Sequence, residues 1–165
     1  MLLSPFLPPN FSFKRLERML LASLIAIGFW LMPMATGFAL EAPTNQVAQV
    51  ISIHLGTIAG DLQFEPDRLT FVAGQRYTLV LDNPSNQKHY FTAKDFGDVI
   101  WTQKVETAGV EVKGAIHELE LKPGAQAEWV FIPQKPGTYE VHCSISGHKE
   151  AGMVGTILIL DPEQI

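Results

Sequence analysis

The segment YEVHCSISGHKEAGMVGTILI, residues 139–159, holds the chain's only cysteine, two of its five histidines and one of its five methionines. Its two ends alternate. Tyr139 and Val141 share one parity and Glu140 and His142 the other, and TILIL closes the run. This pattern predicts two strands joined by a glycine-bearing loop. If Tyr139 and Val141 face a core, Cys143 does so too at the strand's end, while Glu140 and His142 face out. A loop at one end of a sandwich brings side chains from both its limbs onto one point, and here the limbs carry Cys143, His148 and Met153.

The same period of two extends upstream. In QVISIHL, Ile51, Ile53 and Leu55 alternate with Ser52 and His54, and in RYTLVLD, Tyr77, Leu79 and Leu81 share one face. AEWVFI places Trp129 and Phe131 together. Turn chemistry separates the runs: FVAGQ, LDNPSNQ, LKPGAQ, QKPGTY and the final DPEQ. About seven short strands at such spacing predict an all-β antiparallel sandwich or barrel of Greek-key type. No segment after residue 40 shows an amphipathic helical period. The stretch from Asp95 to Gly114, with Trp101 inside it, fits the alternation least and reads as a long excursion with one irregular strand.

The first 39 residues follow another logic. Lys14, Arg15 and Arg18 precede an apolar run, MLLASLIAIGFWLM from Met19 to Met32, and then small residues around Gly37 and Ala39. This is the order of a secretory signal, with cleavage expected after Ala39. The run falls short of the ~20 apolar residues that span a bilayer, although extending it to Ala39 makes an uncleaved anchor the alternative. The expected organisation is therefore residues 1–39 as signal or anchor and 40–165 as one domain, exported to a periplasm or thylakoid lumen. The chain's net charge of −5 becomes more negative without that basic segment. Such a charge disfavours nucleic acid and anionic membrane surfaces, so membrane contact is expected only through an uncleaved segment. An unpaired thiol in an oxidising compartment is a liability unless it is buried or holds a metal.

Thiolate, imidazole and thioether are soft or borderline donors, which suits copper better than magnesium, calcium or manganese. Methionine is a poor zinc ligand, and one thiolate is few for a structural zinc site. A trigonal copper site needs a second imidazole, and NPSNQKHYF offers His89 at the start of a strand. Two histidines and a thiolate with a weak axial methionine make a type 1 electron-transfer site. The predicted metal ligands are thus His89, Cys143, His148 and Met153, with one copper ion as cofactor.

The loop resembles the ligand loop of the cupredoxins, the blue copper family of plastocyanin, auracyanin and rusticyanin. Its GMVGTI half is similar to plastocyanin, and the spacing C-x4-H-x4-M is similar to auracyanin and rusticyanin. The resemblance covers residues 46–160. It implies a Greek-key sandwich and a small monomeric carrier of single electrons between redox protein partners, not an enzyme. It also implies that His148 reaches the surface through Ile145, Gly147, Ala151 and Gly152. Many cupredoxins carry Asn or Ser after the upstream histidine, cross-linking it to the cysteine loop. Tyr90 stands there instead, which leaves Ser144 or Asn83 to make the cross-link. Two rival functions remain. His142 beside Cys143 forms the His-Cys dipeptide of copper nitrite reductases and multicopper oxidases, but only His54 and His117 are left to hold a catalytic copper. A copper chaperone or buffer would favour exposed methionine clusters, whereas Met153 is the only methionine after residue 39.

Overall fold

The computed structural model describes residues 46–165; the expected signal or anchor over 1–39, and residues 40–45, lie outside them. Two sheets pack face to face. The first contains β1 (Gln49–Leu55), β2 (Phe64–Glu65), β4 (Tyr77–Asp82), β6 (Ile100–Thr107), β7 (Val110–Val112) and β9 (Gln126–Pro133). The second contains β3 (Arg68–Val72), β5 (His89–Thr92), β8 (Glu118–Leu121), β10 (Gly137–His142) and β11 (Val154–Leu160). The spatial orders are β2-β1-β4-β9-β6-β7 and β3-β11-β10-β5-β8. This is the expected all-β sandwich, but the pairing is mixed: β1 runs parallel to β4, and β3 parallel to β11.

Alternation builds the core as expected. Ile53, Leu55, Tyr77, Leu79, Leu81, Trp129 and Phe131 are all buried between the sheets. Aromatic rings fill the middle, mostly edge to face, the arrangement their quadrupoles favour. Phe71 lies 4.9 Å from Tyr77 and 5.2 Å from Phe131, and Trp129 lies 5.7 Å from Phe131. The indole N–H of Trp129 donates to Thr102 Oγ1 at 3.1 Å, so burying it leaves no donor unpaired.

The excursion over 95–114 is more ordered than its sequence predicts. It begins within a single helical turn, α1 (Lys94–Gly97), whose Phe96 joins the aromatic core, and then forms the β6–β7 hairpin. β6 pairs along β9 from Ile100↔Pro133 to Glu106↔Glu128, with an irregularity between Thr102 and Lys104. That irregularity switches which parity faces the core, and this is why no simple alternation is visible in the sequence. The hairpin turns on Ala108 and Gly109, at φ 43° and 81°. Two-residue hairpin loops favour positive φ at both positions, and Asn-Gly is the usual signal. With alanine in the first position that signal is absent.

An L-residue other than Asn or Gly in the left-handed region costs about 1 kcal/mol or more. Ala108→Asn should therefore raise the thermal midpoint by roughly 3–6 °C. Calorimetry checks this; a lower midpoint would mean that the turn does not hold this conformation.

Candidate metal centre

The sandwich brings three of the predicted ligands together. His89 Nδ1 lies 4.0 Å and His148 Nδ1 3.5 Å from Cys143 Sγ, and all three donor atoms fall within 4.8 Å of one another. Among the described residues this is the only group of three or more His, Cys, Asp or Glu side chains gathered so closely. With metal–ligand bonds of about 2.0–2.3 Å, donors in a trigonal plane stand roughly 3.5–4 Å apart. The spacing observed fits one ion.

Each side chain is delivered by a local device. Cys143 follows the last residue of β10, where register pairs His142 with Val154. One step further, Cys143 N–H donates to Met153 C=O at 3.0 Å, so the cysteine and the methionine face each other across the end of the ladder. Met153 N–H in turn donates to His148 C=O at 2.9 Å, and His148 N–H to Ile145 C=O at 3.0 Å. Gly147 and Gly152, at φ 85° and 113°, supply backbone conformations that side chains disfavour. The Met153 side chain is fully buried, in the same cluster as Cys143.

His89 is delivered by the loop before β5. Asn83 organises that loop: its Nδ2 donates to Gln87 C=O and Leu121 C=O, both at 2.8 Å, and its Oδ1 accepts from Ser85 N–H and Oγ. His89 itself is fully buried. Desolvation, and then the neighbouring His148, hold its pKa below the usual imidazole range, which keeps the ring neutral and a nitrogen lone pair available. The other nitrogen, Nε2, is buried without a hydrogen-bond partner. It lies against Gly56, where a Cβ would come within 2.7 Å of it. The donor set also includes a buried thiol free of any disulfide, with the Tyr90 N–H pointing at its sulfur from 3.4 Å. A buried thiol facing two imidazole nitrogens, with a buried thioether beside it, fits a single type 1 copper ion.

Neither expected cross-link joins the two ligand loops directly. Asn83 serves only its own loop and Leu121, while Ser144 Oγ donates to Glu118 Oε2 at 2.8 Å. His148 is half-buried, with Gly147, Ala151 and Gly152 exposed around it and Ile145 packed partly on the core. The other histidines stand apart from the cluster. His54 Nδ1 lies 2.6 Å from Asp82, and His117 Nε2 lies 2.7 Å from Asp98. His142 Nδ1 sits 3.1 Å from the Glu140 carboxylate but makes no hydrogen bond. Three features were missed in the sequence. Gly56, inside LGTIAGD, packs on His89, and Gly152 lies over the Leu62 carbonyl of the same loop. The paired glycines of that run were the one available signal. Glu118 carried none.

The family described as Cupredoxin-like domain matches residues 23–159. A multicopper oxidase of Staphylococcus epidermidis is 28% identical over 109 residues, which are 62% of this chain and 24% of that protein. The chain thus spans about a quarter or less of the length of the curated relatives it matches. Among solved structures, dithionite-reduced auracyanin of Roseiflexus castenholzii aligns with a TM-score of 0.50 at 20% identity, over 69% of this chain and 99% of that one. A multicopper oxidase of Pediococcus acidilactici aligns at 0.54 and 18% identity, over 73% and 28%. These two structures share the fold. The oxidases correct the expectation that the chain is not an enzyme, because the curated sequences it matches are oxidases. The physical reason is that a type 1 centre looks the same from its own residues whether its electron leaves for a separate protein or for another copper in the same chain.

Because His89 is held neutral when folded, its protonation favours the unfolded chain. The metal-free protein should lose stability as pH falls through the free imidazole value of about 6.5, and His89→Leu should reduce that loss. Thermal midpoints between pH 7.5 and 5 measure it; an undiminished pH dependence in the variant would place the titrating group elsewhere.

Proposed function

Because the chain belongs to the cupredoxin-like domain family, we propose that His89, Cys143, His148 and Met153 hold one copper ion and that the protein passes single electrons through it. The observation that carries this reading is the convergence of one buried thiol and two Nδ1 atoms within 4.8 Å. Copper bound there supplies a one-electron couple. The chain's part is to hold one geometry in both oxidation states. Cys143 is fixed by its backbone bond to Met153 and by the Tyr90 N–H at its sulfur, and the two imidazoles are set by separate loops. Hydrogen bonds to the sulfur tune the potential. A cage that moves little on reduction keeps the exchange fast.

The half-buried edge of His148, framed by Ala151 and Gly152, is the proposed exit toward a redox protein, since small residues let a partner approach closely. Export is part of the same proposal, supported by the basic and then apolar order of residues 14–39. A second reading, an oxidase in which His142 relays the electron to further copper, is favoured by the oxidase relatives and by the His142–Cys143 dipeptide. A reversible copper buffer fits less well with a thiol that is 1% exposed.

Titration with Cu(II) should load one ion per chain and give an intense band near the red end of the visible spectrum. Cys143→Ser should abolish that band and leave the β-sheet circular dichroism unchanged. Met153→Leu should keep the copper and raise the reduction potential, because losing a thioether destabilises Cu(II) more than Cu(I). Colour that survives in Cys143→Ser would refute the ligand set. More than one copper per chain, with oxygen consumption, would favour the oxidase reading.

A further inference from the structure

The two strands that present ligands share little backbone pairing. β5 carries His89 and β10 leads into Cys143, yet they are joined at a single register pair, His142↔Thr92. Beyond that point β10's ladder continues only on its β11 side. Some other interaction must hold the cysteine limb against β5.

Glu118 occupies the place where such an interaction is needed. It lies on β8, the strand beyond β5, in register with Thr92, so that Glu118, Thr92 and His142 form a row across three strands. One carboxylate oxygen, Oε2, accepts the Thr92 hydroxyl at 2.6 Å and the Ser144 hydroxyl at 2.8 Å. Thr92 belongs to the His89 strand, and Ser144 is the residue after Cys143. The carboxylate therefore clasps both ligand-bearing segments through one atom. Its bonds are charge-assisted, which makes them shorter and stronger than those between neutral groups. They act beside Cys143, where the other ties to β5 are the His142↔Thr92 pair and the Tyr90 N–H to the sulfur.

We propose that Glu118 is a positioning residue of the metal centre, setting the separation of the His89 and Cys143 segments through Thr92 and Ser144. This rests on the copper reading above for what the separation tunes, but not for the clasp itself. Glu118 touches neither donor atom. Its effect is indirect: without the clasp, Ser144 swings outward, the Tyr90 N–H contact loosens, and the thiol becomes more accessible.

The test measures two properties in the full chain. The first is the rate at which a disulfide reagent modifies Cys143 in the metal-free protein. The second is the visible band and reduction potential of the copper-loaded protein. Glu118→Ala and Ser144→Ala should each speed modification about fivefold, the equivalent of one modest hydrogen bond. The double variant should be no faster than the faster single one, because both changes break the same bond. Glu118→Gln keeps an oxygen that accepts both hydroxyls, and its rate should stay close to the parental one. The band and potential should shift in the same order, with thermal midpoints changing too little to account for it. Parental behaviour of Ser144→Ala would overturn the proposal, as would a Glu118→Gln variant that matches Glu118→Ala, since the effect would then be one of charge. If the modification rates follow this order but the parental chain binds no copper, the copper reading fails and the clasp stands.

Discussion

One hydrogen bond past the end of a ladder, from Cys143 N–H to Met153 C=O, is the constraint on which the rest of the site depends. It extends the antiparallel pairing of β10 and β11 by one step and makes the nine residues between its partners a closed loop. Within that loop, the bonds from Met153 N–H to His148 and from His148 N–H to Ile145 leave the imidazole little freedom. Two glycines at positive φ make so tight a path possible. Three of the candidate donors thus derive their relative positions from strand register, which a rigid sandwich fixes well.

The fourth, His89, arrives from a different part of the chain, and its placement depends on burial. A loop wound around the Asn83 amide presents the ring to the interior, where desolvation keeps it uncharged. The cost is visible at its far edge. Nε2 has no partner, and it lies over Gly56, where any Cβ would come within 2.7 Å of it. A histidine bound to a metal ordinarily donates its second N–H to an oxygen. Among the described residues no oxygen accepts from Nε2, and Gly56, having no Cβ, leaves the ring the room it occupies.

How much of this could be read in the sequence followed from how local each feature was. Alternation from Tyr139 to Val141 placed Cys143 inward, and the same parity rule built most of the core correctly. The β6–β7 hairpin escaped because a bulge broke its period and because Ala108 is an unusual residue for its turn. Gly56 and Glu118 escaped for another reason. Their roles arise from contacts with residues 33 and 26 positions away in the chain, which no local pattern encodes. Of the two residues expected to make the cross-link that Tyr90 does not, Asn83 bonds within its own loop and to Leu121, and Ser144 bonds to a carboxylate on a third strand. The distinction between carrier and oxidase lay beyond the site altogether, in how a longer protein uses the same domain.

Among the described residues the strand orders leave four edge strands, β2, β7, β3 and β8, and none exceeds five residues. β8 presents Glu118 and Glu120 to solvent, β7 carries Glu111, and β3 opens with Arg68. Short, charged margins are poor templates for an incoming strand. A β-rich protein at high concentration is exposed to fibrillar stacking, and these margins oppose it. The glutamates at the rim beside the site therefore also act as a barrier to self-assembly, one that costs the interior nothing.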